Sequence, residues 1–217
     1  MTEVAVLALL AGKVRPFARG EGSAIAKTVL AGRVRIGTLG IAGDEQADPI
    51  HHGGRDKALH HYPRDHYARW RQALPDQPLL DAAGAFGENI STTGLTESDV
   101  CIGDRFRLGT ALIEVSQARQ PCWKQGERLQ SAKVPRTIVR EGLSGWYYRV
   151  LEEGEGEAGD SLTLIDRPLP DWSARRVFDL LVGGRHDQDP GALPALAAME
   201  PLFPGWRQWA QMLIDRR

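Results

Sequence analysis

"DVCIGDRFRLGTALIEVSQ", Asp99 to Gln117, is the stretch on which the fold turns. Gly103-Asp104 opens an alternation carrying Phe106 and Leu108, and the run "ALIEVSQ" that follows reads as a good strand. The same device recurs at Gly159-Asp160, which opens Leu162 and Leu164. Both are turns feeding half-buried strands, and nothing recurs at a fixed period, so they do not mark an internal repeat. Outward from there, "AIAKTVLAGRVRIG" and "WYYRVLEEGEGEAGDSLTLI" keep to short apolar or alternating runs cut by glycine. From Val4 to about Ile165 this pattern predicts a mainly β fold, a barrel or barrel-like sheet with a few peripheral helices.

Two stretches break the strand pattern. "PRDHYARWRQAL" places Tyr67, Trp70 and Leu74 on one helical face, with Pro63 at its start. "SAKVPRTIVREG" is a shorter helical stretch with Pro135 inside it. After "LIDRPLPDW" the character changes to three short helices: "SARRVFDLLVGG", with Val177, Leu180 and Leu181 on one face, then "PGALPALAAME" and "PGWRQWAQMLIDRR". We therefore divide the chain into a main domain, 1–169, and a three-helix appendage, 170–217. The appendage is too small to bury much alone and is expected to dock on the main domain. Trp206 and Trp209 are expected to be exposed, forming a packing surface within the chain or across a homodimer.

The 217 residues carry Lys+Arg 27 against Asp+Glu 28, a net charge of -1, which gives no bulk attraction to a nucleic acid polymer or an anionic membrane. Any anion site must be local. The apolar run in "MTEVAVLALLAGKVRPF" is a first strand rather than a leader or a span. Two cysteines, Cys101 and Cys122, are too few for a disulfide scaffold or a four-thiolate iron-sulfur cluster, which makes a reducing cytoplasm the expected setting.

"GEGEAG", Gly154 to Gly159, matches a dinucleotide fingerprint literally but not in context. Glu152, Glu153, Glu155 and Glu157 crowd it and a strand follows instead of a helix, so it is read as an acidic turn. Five of the six histidines lie in "HHGGRDKALHHYPRDH", His51 to His66, without the i, i+4 pairing of a helical zinc site. Gly53-Gly54 permits positive φ and close backbone approach to a ligand, so a histidine beside that turn is expected to face a pocket, while His60, His61 and His66 are structural or exposed. In "AFGENIST", Asn89 is read either as a ligand contact through its amide or as an Asx-turn that shapes the loop.

"SQARQPCWK", Ser116 to Lys124, sets Cys122 just past a strand end, where site residues are commonly displayed. Arg119 and Lys124 would bring positive charge to the sulfur and favour thiolate, which serves as a nucleophile or a soft metal ligand. Cys101, inside an apolar run, is read as a packed structural thiol.

Together "GIAGDEQAD", "HHGGRDKALHHY", "FGENIST", "VCIGDRFRLG", "SQARQPCWK" and "GWYYRVLEEGE", in this order, resemble the MOSC family, the domain named for the C-terminus of molybdenum cofactor sulfurase. The C-terminal helices resemble the appendage of its YiiM-type members. The resemblance implies a β barrel-like domain in which Cys122 ligates the molybdenum of a molybdopterin cofactor through its thiolate. It further implies reduction of N-hydroxylated compounds, such as N-hydroxylaminopurine-type bases, with electrons from a separate flavoprotein. Arg119, Lys57 and Lys27 are the donors expected for the pterin phosphate, with His52 and Asn89 as polar lining. The alternative is a carrier of the cofactor, or of sulfur on Cys122, without turnover of its own. The family's founding context couples this domain to a pyridoxal phosphate desulfurase, for which this chain has no room.

Overall fold

Glu3–Ala11 forms β1, and the barrel it opens is closed by the last strand of the β region returning to its side. This computed structural model describes residues 2–49 and 52–216. The remaining barrel strands are β2 (Leu59–Pro63), β3 (Ile90–Thr92), β4 (Arg105–Leu108), β5 (Ala111–Ala118), β6 (Trp146–Glu152) and β7 (Ser161–Asp166). The seven strands form a closed ring in the order β1, β7, β4, β5, β6, β2, β3 and back to β1. The alternation around Gly103-Asp104 and Gly159-Asp160 thus yields neighbours, β4 and β7, paired antiparallel with Leu108 opposite Leu162.

A closed ring with an odd number of strands cannot alternate direction throughout, so one parallel seam is unavoidable. It lies between β2 and β3, with His61 opposite Ile90. A parallel pair needs a crossover of a dozen or more residues, usually helical. Here α1 (His66–Ala73) and a 3-10 turn, Pro78–Asp81, supply it. Tyr67 and Trp70 are buried on the predicted face; Trp70 Nε1 donates to Tyr62 Oη at 2.6 Å, and Phe86 stacks on Tyr62 with ring centroids 4.0 Å apart. Pro63 is the last residue of β2 and not the start of the helix, which follows Asp65.

α2 (Trp123–Arg128) and α3 (Val134–Glu141) connect β5 to β6. Pro135 falls in the first turn of α3, where its missing N–H interrupts no helical bond. The glycine-rich acidic segment is an edge strand, Gly154–Gly156, paired with Val34–Gly37, and its carboxylates bond arginines: Glu153 with Arg35 and Glu157 with Arg33. No nucleotide fingerprint is formed.

The C-terminal helices are α4 (Ala174–Leu181), α5 (Ala192–Ala198) and α6 (Pro204–Asp215). Ser173 caps α4 by accepting from the Arg176 N–H at 3.1 Å. β5 is buried along nearly its whole length because α4 packs against it, and Val177, Phe178 and Leu181 belong to the same apolar core as the barrel. Trp206 is not exposed as the sequence suggests. It is buried within the tail, edge-to-face with the half-buried Trp209 at 6.4 Å. No helix among the described residues is long and apolar enough to cross a membrane.

Candidate functional site

The site begins at an irregularity in β5. Val115 pairs with Tyr148 and Gln117 with Tyr147, leaving Ser116 as the extra residue of a bulge. Past the end of the strand, the Arg119 N–H donates to the Gly145 carbonyl at 3.0 Å, fixing the turn that leads to Cys122. Gly145 has φ +67, and a Cβ there would lie 2.4 Å from the His61 carbonyl oxygen, so only glycine lets β2 and this turn meet.

Cys122 is the N-cap of α2, a helix the sequence reading did not single out. Its N–H donates to Gln125 Oε1 at 3.2 Å. The Cys-x-x-Gln spacing is the signal that would have found the helix, as the thiol analogue of a capping box.

Burial pushes the Cys122 thiol up. A hydrogen bond with His52, the Arg119 guanidinium, the electrostatic influence of His52 and the Lys124 backbone N–H together outweigh it and bring the thiol down to about 6. Thiolate therefore predominates at neutral pH. The charge expected of Lys124 is directed elsewhere: its Nζ donates to the Gly22 carbonyl at 3.0 Å and pairs with Glu21 at 3.1 Å.

All six residues singled out from sequence, Lys27, His52, Lys57, Asn89, Arg119 and Cys122, line one cavity. His51, in the same histidine run, lies outside the described residues. The six differ in what they have left to offer. Arg119 is buried, and its Nε and Nη1 have no hydrogen-bond partner. A guanidinium kept out of water with two idle nitrogens is suited to receive an anion. Lys27 is buried with its ammonium on the Asp44 carboxylate, and burial lowers its pKa despite that partner. Asn89 donates both amide N–H groups within the chain, to the Leu10 carbonyl and to Asp44 Oδ2, while its Oδ1 accepts from the His60 N–H. Its amide thus ties β1, β2 and β3 together at the cavity floor, which is neither an Asx-turn nor an idle ligand contact.

Burial likewise lowers the pKa of Lys57, whose Nζ sits 4.8 Å from the centre of the Phe203 ring. His52 lies with Nδ1 3.5 Å from Asp48 Oδ2.

Three further residues belong to the site. The side chain of Asp44 is buried and organises Lys27, Asn89 and the Gly12 N–H, donated at 2.7 Å. His60, held well below its usual range by burial and by Arg119, lines the cavity, and its buried Nε2 has no hydrogen-bond partner. Tyr147 lines the cavity beside Arg119. Asp44 lies within "GIAGDEQAD", but nothing local marks it as a site residue. His61, by contrast, points away, between Tyr148 Oη and Thr92 Oγ1, as expected for alternating neighbours in a strand. His66 pairs with buried Glu97 at 2.7 Å.

The cavity opens through His52, Lys57, Cys122 and Tyr147 into an outer cleft of about 710 Å³ whose far wall is α6. No three His, Cys, Asp or Glu side chains converge to hold a bare ion among the described residues. The donor set, one low-pKa thiolate beside a buried guanidinium with two unpartnered nitrogens, fits a metal that arrives with ligands of its own and an anionic arm. A molybdenum-pterin cofactor is of that kind.

A family model for the MOSC domain matches residues 48–163. The chain is 46% identical over 156 residues to "Protein YiiM" of Escherichia coli (strain K12), covering 72% of this chain and 70% of that one. It is 40% identical over 175 residues to a protein named "Reductase" from Gibberella moniliformis, spanning 79% of this chain but 31% of that longer one. Among solved structures, YiiM from Geobacillus stearothermophilus superimposes with a TM-score of 0.80 at 34% identity, over 96% of this chain and 98% of that one. YiiM from Escherichia coli gives 0.80 at 32%, over 98% and 92%. With its closed barrel, its Cys122 site and these relatives, the chain belongs to the MOSC domain family and is YiiM-like within it.

Proposed function

We propose that this protein reduces N-hydroxylated compounds with a molybdenum-pterin cofactor bound at Cys122. The observation that carries the reading is the Cys122 thiol, brought down to about 6 at the junction of a buried, cation-lined cavity and an open cleft. The relative named as a reductase supports the reaction class. Bound there, the cofactor would supply two-electron chemistry, R–NHOH + 2e⁻ + 2H⁺ giving R–NH2 + H2O.

The chain's own residues do the rest. Cys122 presents its sulfur as thiolate, ready to ligate metal without first losing a proton. Arg119, with two idle nitrogens, and Lys57 bind the phosphate of the pterin. Asp44, Lys27 and Asn89 hold the cavity floor rigid, so that the anion sites do not collapse on one another. His52, hydrogen-bonded to Cys122, would deliver a proton from its imidazole to the departing hydroxyl. The two electrons come from a separate flavoprotein; this chain's second thiol, Cys101, is buried against the Pro170 carbonyl and does not line the cleft.

Expressed in a host that makes the cofactor, the protein should carry about one molybdenum per chain. Cys122→Ala should lose both the metal and the reduction of a hydroxylamine by chemically reduced protein. Full activity in that variant would overturn the reading. Metal bound without turnover in the wild type would instead identify a cofactor carrier.

A further inference from the structure

Electrons that reach Cys122 from another protein must cross this chain's surface, and α3 stands there as a short ridge between two apolar hollows. On one side Pro121, Pro135, Val139 and Val182 line a groove of about 430 Å³. On the other, Trp70, Leu74 and Val134 line a hollow of about 270 Å³. Gln120 and Pro121 belong both to the groove and to the lining of the Cys122 cleft. The groove's remaining walls come from α3 and from Val182 at the end of α4, none from α6. A partner thus has a seat of its own beside the cleft, one residue along the chain from the sulfur.

The ridge is cationic. Lys133, Arg136 and Arg140, spaced i, i+3 and i+7, are exposed on one flank of the helix. Elsewhere on the barrel surface exposed arginines meet carboxylates, as Arg33, Arg35 and Arg107 do. On α3, Arg140 must share Glu141 with Arg69, and Lys133 and Arg136 pair with no carboxylate among the described residues. Like charges at i, i+3 and i, i+4 repel, and a cation at the N-cap, where Lys133 stands, opposes the helix dipole. Nothing acidic in the first turn compensates, so the relief has to come from outside the chain. A nucleic acid or an anionic membrane would meet the charges but not fill the hollows, and the net charge of -1 gives neither a wider attraction. A protein with carboxylates around an apolar contact matches both features, and electron carriers bind through small, charge-steered contacts of this kind.

We propose that the α3 ridge, with its groove beside Pro121, is the docking face for the electron donor, a flavoprotein with an acidic rim around its flavin. The proposal rests on the reductase reading of Cys122 and gives the donor a place on the surface. The donor's reduced flavin, FlH2, gives up two electrons and two protons and is oxidised to Fl, so that R–NHOH + FlH2 gives R–NH2 + H2O + Fl.

The probe is flavodoxin, a single-domain FMN protein that is acidic around its flavin. Its affinity for the molybdenum-loaded protein is read by calorimetry in the oxidised state. Turnover of benzamidoxime is then driven either by photoreduced flavodoxin or by reduced methyl viologen, a small cation that needs no docking face. Wild type should bind flavodoxin at low ionic strength and lose affinity as salt is added. Lys133→Glu/Arg136→Glu should raise both the Kd and the KM for flavodoxin by about tenfold and flatten their salt dependence. Its molybdenum content should match wild type, and its viologen-driven rate should not fall. Lys133→Arg/Arg136→Lys, which keeps both charges, should bind flavodoxin as wild type does.

Unchanged flavodoxin affinity and salt response in the double glutamate variant would overturn the docking face. So would wild-type protein that ignores flavodoxin but binds phosphatidylglycerol vesicles or single-stranded RNA through the same two residues. Charge-dependent binding of flavodoxin with no turnover from either donor would keep the docking face and sink the reductase reading. Viologen-driven turnover without any binding of flavodoxin would do the reverse.

Discussion

A thiol that shares a cavity with an imidazole and a guanidinium reacts at a pH far from that of a free cysteine. Because the Cys122 pKa is lowered from the usual 9.0 to about 6, the thiolate, and with it the rate of alkylation, rises as pH climbs through about 6 and has levelled off before pH 8. Iodoacetamide labelling of metal-free protein across pH 5 to 9, followed by mass spectrometry, should show that midpoint. His52→Phe removes a hydrogen bond and an electrostatic contribution that both favour thiolate, so the midpoint should move up towards 9. A wild-type midpoint already near 9 would mean that neither His52 nor Arg119 acts on the sulfur. That Cys122 is displayed past a strand was legible in "ALIEVSQARQPC". That His52, about seventy residues earlier, supplies the hydrogen bond was not, because the contact exists only once β2 and β5 share a barrel.

At the scale of elements, the helix over "PRDHYARWRQAL" was legible from the spacing of Tyr67, Trp70 and Leu74, and the strands from alternation. Their pairing was not. The parallel seam between β2 and β3 follows from closure of seven strands, a property of the whole ring that no single strand encodes. α2 escaped for a different reason: six residues give too little periodicity, and its signal lies in the cap at Cys122 and Gln125. The junction between β2 and the Arg119 turn depends on Gly145. Gly145→Ala combines a left-handed φ with a clash against the His61 carbonyl and should destabilise the protein by at least about 2 kcal/mol. Urea denaturation would measure it, and a loss below 0.5 kcal/mol would mean that the backbone there yields easily. The same variant should raise the Cys122 labelling midpoint, because Arg119 is fixed by its bond to Gly145.

For the molecule as a whole, the C-terminal helices share one continuous apolar core with the barrel: α4 packs against β5, α5 and α6 pack on each other, and α6 packs on α4. Ala174 N–H donates to the Val100 carbonyl at 2.8 Å, Phe203 N–H to Ser116, and Val177 and Phe178 join the barrel's apolar cluster. A chain ending at residue 169 should therefore lose cooperative thermal unfolding and its near-ultraviolet circular dichroism. A sharp transition within a few degrees of the full chain would show that the barrel stands alone. By itself the sequence determined the residue-level chemistry and the strand character: alternation, turn glycines, a displayed cysteine, and six candidate side chains that proved to line one cavity. Those are local, since a period of two and the chemistry of a side chain are written in neighbouring residues. Only the tertiary structure decided which of the six are free to bind. Asn89 and Lys27 are engaged by Asp44, while Arg119 is left with idle donors. Only the tertiary structure, likewise, placed α6 as the outer wall of the cleft. Both depend on contacts between segments far apart in the chain, and a hydrogen bond made or left unmade is settled by closure of the barrel.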